Sequence, residues 1–180
     1  YHNKSIFSGK RVLVVGAGVS GSDIISDAAE VTEHCCWSVR SLGWFLPRMV
    51  GFVPNDCSVS ILNRVVNLGL TREEFKKNLK QIIPAYMEQY EKSGLLPTEA
   101  GNNTIHINDR AIPYTAEGKI KVVPEILDVD ASGVQFADGT YEKFDIIIFA
   151  TGYEQSDYGF LKPINFSHFY EHIFLADDPS

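Results

Sequence analysis

With 180 residues, 44% of them hydrophobic and 22% charged, the chain has the length of one well-packed domain plus an appendage and the composition of a soluble globular protein, which excludes the disordered and membrane-spanning classes. A formal net charge of -7 excludes a broad surface for nucleic acid or anionic membrane, because phosphate attraction needs clustered Lys and Arg, although a local anion pocket stays open. Three cysteines without a CxxC pair or metal-ligand spacing point to a reducing compartment, read as cytoplasmic.

Tyr1-His2-Asn3-Lys4 is neither a signal peptide nor a natural start, so a trimmed piece of a longer protein is expected, with no membrane segment in it. From Arg11 the run RVLVVG is β-branched, almost wholly apolar and ends on glycine, as a parallel strand buried on both faces does. Ile24, Ile25, Ala28 and Ala29 then recur at helical spacing across Ser22 to Val31, and His34 to Val39 is strand-like. Strand, glycine turn, helix and strand in about thirty residues make a βαβ unit.

Ser41 to Leu70 is broken by Gly43, Pro47, Gly51, Pro54 and Asn55, which predicts loops and a short helix near Ile61 to Val66. Thr71-Arg72-Glu73-Glu74 is a capping box opening a helix, with Phe75, Leu79, Ile82, Ile83, Tyr86, Met87 and Tyr90 as its apolar stripe. Pro84 predicts a kink in that helix and Ser93-Gly94 its end. Gly101 to Gly118 is polar and reads as loop. From Lys119 three β-rich segments, parted by Ala131-Ser132-Gly133 and Asp138-Gly139, predict a β-meander, and Phe144 to Ala150 within the last resembles a doubly buried strand.

Gly16-Ala17-Gly18-Val19-Ser20-Gly21 is a GxGxxG between a buried strand and a helix, the context that gives the motif meaning. Gly16 allows the tight turn, Gly18 lets backbone approach a pyrophosphate, and Gly21 lets helix and sheet pack closely, with Ser20 in the first helical turn. An NAD site places an acid at the end of the second strand; here Ser38-Val39-Arg40-Ser41 stands there instead. A guanidinium flanked by hydroxyls suits a 2′-phosphate and favours NADP(H), and Arg48 is a second candidate charge. A purely structural glycine turn and a solvated strand-end Arg40 stay open as the plain alternatives.

No other chemistry stands out. His2, His34, His106, His168 and His172 show no metal-ligand pattern, so no metal is expected. Cys35 and Cys36 point to opposite faces of a strand, against a redox disulfide. Asp23 is read as a favourable charge near the helix start rather than a catalytic group, and no catalytic residue is assigned.

Phe7 to Gly16 resembles the lead into the second, NADPH-binding GxGxxG of the flavin-containing monooxygenases and, more distantly, of Baeyer-Villiger monooxygenases. Ser38 to Arg48, with Arg40, Trp44 and Arg48, resembles that family's 2′-phosphate loop, Phe149-Ala150-Thr151-Gly152-Tyr153 its FATGY segment, and Tyr1 the last residue of its FxGxxxHxxxY signature. The resemblance implies an α/β fold of Rossmann type, a doubly wound parallel sheet with a β-meander and a helical insertion at about 44–115, forming an NADP-binding domain over 1–153. Residues 154–180 would begin the return to a FAD domain outside the chain. It further implies that NADPH reduces FAD and that a C4a-hydroperoxyflavin oxygenates a soft nucleophile, an amine nitrogen or a sulfide sulfur, in the full-length protein, this piece alone being inactive. A nucleotide-binding or interaction module without catalysis, and another pyridine-nucleotide flavoenzyme (a Baeyer-Villiger monooxygenase, an N-hydroxylating monooxygenase or a disulfide reductase), remain the alternatives.

Overall fold

Arg11–Val15 (β1) carries Val12, Leu13 and Val14 with no exposed surface, so both faces of the strand are covered. A computed structural model of the chain describes residues 3–55, 70–97 and 104–153, and the backbone of 169–170 and 174–175. It places β1 in a four-stranded parallel sheet between β2 (His34–Ser38) and β11 (Ile146–Phe149), with β7 (Ile120–Val123) beyond β2. Register sets Val12 beside Cys35 and Ile146, and Leu13 beside Cys36 and Ile147.

Alternation then sorts the side chains into two layers. Val12, Val14, Cys35, Trp37, Ile146 and Ile148 face α1 (Val19–Ala29), α4 (Ala111–Ala116) and the inserted elements. Leu13, Cys36, Val123 and Ile147 face a three-stranded antiparallel meander of β8 (Ile126–Asp130), β9 (Gly133–Phe136) and β10 (Tyr141–Glu142), whose Val134 and Phe136 fill the space. The architecture is α/β of Rossmann type, the sheet lying between a helical layer and the meander. Cys35 and Cys36 lie in different layers, and burial pushes their thiols up to about 11 and about 12.

The first and third β-rich segments each divide between two sheets. Ile120–Val123 joins the parallel sheet and Ile126–Asp130 the meander, with Pro124, which has no N–H to donate, between them. Tyr141–Glu142 closes the meander before Ile146–Phe149 returns to the parallel sheet. The helix after the glycine turn starts at Val19, three residues before its predicted start.

Between β2 and β7 lie β3 (Trp44–Leu46), β4 (Met49–Val50), β5 (Val53–Pro54), α2 (Arg72–Ile82), α3 (Pro84–Ser93), β6 (Ile105–Ile107) and α4. The capping box forms as read, Thr71 Oγ1 accepting from the Glu74 amide and the Glu74 carboxylate accepting from Thr71 N. Pro84 divides the predicted helix in two, standing at the first position of α3, where its missing N–H costs nothing, while Ile83 at φ -132°, ψ 61° turns the chain. Phe75, Leu79, Tyr86, Met87 and Tyr90 pack inward as expected, but Ile82 stands 62% exposed at the end of α2.

The predicted loop over 101–118 contains β6, paired parallel with β3, and α4. Asn108, 1% exposed, makes that helix possible: its Oδ1 accepts from the amides of Arg110 and Ala111, and its Nδ2 donates to Asp23. Pro113 falls in the first turn, where its missing N–H goes unnoticed. The short helix predicted near Ile61 to Val66 lies outside the described residues, as does the return segment 154–180 apart from the antiparallel backbone pair β12 (Phe169–Tyr170) and β13 (Phe174–Leu175). No helix among the described residues is long and apolar enough to cross a membrane.

Candidate functional site

The carboxyl ends of β1, β2 and β11 open onto a cavity of about 1100 Å³, the position where open parallel sheets take their ligands. Its floor is the turn from Gly16 to Ser20. Gly16 has φ +109°, and a Cβ there would stand 2.4 Å from the Ala150 carbonyl oxygen, so only glycine fits. Gly16 N donates to Ser38 O at 3.0 Å, and the Trp37 indole Nε1 donates to Gly16 O at 2.9 Å.

Gly18 and Gly21 serve differently. Gly18 lines the cavity and a Cβ on it would meet nothing within 4 Å, so the space beside it is open for a ligand to reach the backbone. Gly21 does not line the cavity; a Cβ there would lie 2.1 Å from Gly16 O, so its glycine makes room for that carbonyl beneath the turn. Gly18 caps α1 without a side-chain bond, leaving the first-turn amides and the positive end of an 11-residue helix at the cavity, with Ser20 in the lining. These features fit the pyrophosphate of a dinucleotide.

Arg40 and Ser41 line the same cavity, and among the described residues no carboxylate forms an ion pair with Arg40. Arg48 stands elsewhere: it is absent from the lining, pairs through Nε with Asp109 at 3.3 Å, and its amide donates to the same carboxylate. Asp23 accepts the Asn108 side-chain amide at 2.9 Å, a structural bond at the helix start.

The cavity also takes in polar residues to which the sequence gave no site role, Thr104, His106 and Glu125, together with Phe149 and Tyr153 of the FATGY-like segment. Thr104 and His106 come from β6 and its approach, and a contact at 3.3 Å joins Thr104 Oγ1 and His106 Nε2. The His106 ring leans on Phe45 at 5.3 Å, and burial lowers its pKa below the usual imidazole value. Glu125 follows β7, so an acid enters the cavity from a strand end that the βαβ pattern does not include. Phe149, 64% exposed, and the fully exposed Tyr153 flank Thr151 and Gly152 on the opposite side of the glycine turn from β2. The FATGY-like segment thus reaches the cavity.

One group of metal-ligating side chains gathers among the described residues, at the amino ends of the strands and away from the cavity. His34 Nε2 lies 2.6 Å from Glu142 Oε1, with Cys36 Sγ 3.7 Å from the imidazole. Arg11 and Lys121 already hold Glu142 at 2.7 and 3.0 Å, so the carboxylate is neutralised by side chains that tie the meander to the sheet.

A family model described as flavin-binding monooxygenase-like matches residues 1–176. A 4-hydroxybenzoate brominase (decarboxylating) of Marinomonas mediterranea is 35% identical over 176 residues, 87% of this chain and 32% of that protein. The mouse (Mus musculus) dimethylaniline monooxygenase [N-oxide-forming] 4 is 30% identical over 170 residues, 91% of this chain and 30% of that protein. The chain therefore spans about a third of the length of these relatives. Among solved structures, an oxidised steroid monooxygenase bound to NADP superposes with a TM-score of 0.58 at 19% identity, over 83% of this chain and 40% of that one, which shows a shared fold. A match that runs through the glycine turn, the Arg40 segment and the strand leading to Tyr153 joins the parts that the cavity brings together, and on it the chain belongs to the flavin-binding monooxygenase-like family.

Proposed function

We propose that the cavity binds NADPH and that the full-length protein is a FAD-dependent monooxygenase whose flavin lies in a domain outside this chain. The observation that carries the reading is the joining of Arg40 and Ser41 to the glycine turn in one cavity. Gly16, Gly18 and Ser20 would hold the pyrophosphate over the amides of α1, Gly21 would keep the turn tight, and Arg40 with Ser41 would take the 2′-phosphate by charge-assisted bonds. Arg48, paired with Asp109, is left out of the phosphate site. When bound, NADPH supplies hydride and the flavin supplies oxygen chemistry; the residues of this chain bind and orient.

The substrate class follows from the resemblance and from a relative named for N-oxide formation: an amine nitrogen or a sulfide sulfur. A panel of a tertiary amine and a thioether, followed by NADPH-dependent oxygen uptake in the full-length protein, tests that class. Bromide serves as the contrasting arm because another relative is named a brominase.

Calorimetric titration of the folded chain with NADPH and NADH, alongside Arg40→Ala, tests the cofactor. NADPH is expected to bind more tightly, and the preference to collapse by about ten- to a hundredfold in the variant, the range set by losing a hydrogen bond to a charged group. Equal binding of the two nucleotides, or an unchanged preference in Arg40→Ala, removes Arg40 from the phosphate site.

A further inference from the structure

Two features of the sequence meet on one atom, the carbonyl oxygen of Gly16. Gly21 lacks the Cβ that would stand 2.1 Å from it, and the fully buried Trp37 donates its indole N–H to it at 2.9 Å. The carbonyl of Gly16 and the N–H of Ala17 belong to one planar trans peptide, so they point in opposite directions. An oxygen held on the indole side turns the Ala17 N–H away from the indole, and Ala17 lies in the cavity lining. Rotating that peptide would offer an anion a carbonyl oxygen where it needs a donor.

We propose that Trp37 is a positioning residue for the phosphate turn, fixing the Gly16–Ala17 peptide so that an amide and not a carbonyl faces the pyrophosphate of the dinucleotide; this rests on the reading of the cavity as a nucleotide site. The indole is itself held from the inserted elements. Its ring meets Phe45 edge-on at 5.5 Å, Phe45 N donates to Tyr90 Oη at 2.9 Å, and Tyr86 Oη donates to Phe45 O at 3.3 Å. The helix α3 therefore reaches the glycine turn through Phe45 and Trp37, which gives the insertion a part in forming the site. Gly16 N, bonded to Ser38 O, fixes the other side of the same residue.

The test is Trp37→Phe in the protein at its full natural length, titrated with NADP+ and with adenosine 2′-monophosphate, which has the 2′-phosphate but no pyrophosphate. NADP+ is expected to bind about tenfold more weakly while the monophosphate is held within about twofold, because one charge-assisted bond is lost at one end of the ligand only. Unchanged NADP+ binding, or an equal loss for both ligands, overturns the proposal. Wild-type protein that binds neither ligand defeats the nucleotide reading itself, whereas a defect confined to the proposal leaves wild-type binding intact.

If Trp37→Phe does not fold, the wild-type indole proton decides. Its NMR signal, assigned through contacts with the Phe45 ring, is expected to move on adding NADP+ and to stay in place with the monophosphate; a signal indifferent to NADP+ overturns the proposal.

Discussion

Adding one methyl group at Gly18 or at Gly21 has opposite physical consequences. At Gly18 the backbone, φ -81°, is one that alanine adopts and the space is open, so Gly18→Ala is expected to change stability by less than about 1 kcal/mol while weakening the proposed nucleotide binding by filling the open space beside its backbone. At Gly21 the added Cβ collides with backbone, and Gly21→Ala is expected to cost about 3 kcal/mol, read as a lower midpoint in urea. A stability loss in Gly18→Ala as large as that in Gly21→Ala would show that the open space beside Gly18 is not free. The motif glycines were legible in the sequence because their spacing is local. The difference between them was not, since it depends on which glycine lies over Gly16 O and which faces the cavity.

At the scale of elements, Asn108 shows how a polar loop signal can conceal order. Its side chain caps α4 and reaches Asp23 across 85 positions of sequence, while its main chain joins β3 through Leu46 O and accepts from the Tyr86 hydroxyl. Asn108→Ala leaves the Arg110 and Ala111 amides without their acceptor in a buried place, and is expected to cost about 3 kcal/mol in chemical unfolding. A cost below about 1 kcal/mol would mean that α4 stands without this cap. The capping box at Thr71 was readable because its two residues are three apart; the Asn108 cap followed a stretch whose composition says loop. The six-residue α4 is also too short to show a helical period.

At the scale of the whole molecule, Glu30 ties three parts of the fold together. It closes α1, meets Lys4 of the amino-terminal 3-10 helix at 2.5 Å, and meets Arg110 at the start of α4 at 2.7 Å. The Lys4 hydrogen bond first, and that of Arg110 second, lower its pKa to about 2 from 4.5. A carboxyl depressed in the folded state contributes stability that is fully present above its unfolded value and is lost as pH falls through the folded one. Acid unfolding is therefore expected to steepen between about pH 4.5 and pH 2, and Glu30→Gln to flatten that window, by circular dichroism in urea at each pH. The same slope in both proteins would assign the acid sensitivity elsewhere. With the side chains of this network partly exposed, salt should weaken the contribution.

Sequence alone determined the parts whose signals are short-ranged. The β-branched runs located two parallel strands, β1 buried on both faces and β11, expected to be as buried, only half-buried at the sheet edge; the glycine spacing located the turn between strand and helix, and the sequence put Arg40 in place of an acid just beyond β2. Tertiary structure decided the rest: that the outer β-rich segments divide between two sheets, that Arg48 turns to Asp109, that Thr104, His106 and Glu125 enter the cavity, and that Trp37 holds the glycine turn. Each of those outcomes depends on a partner distant in sequence. Periodicity and turn chemistry report only what a residue does with its near neighbours, whereas a cavity wall or a buried hydrogen bond is set by where the sheet and its layers bring distant segments together.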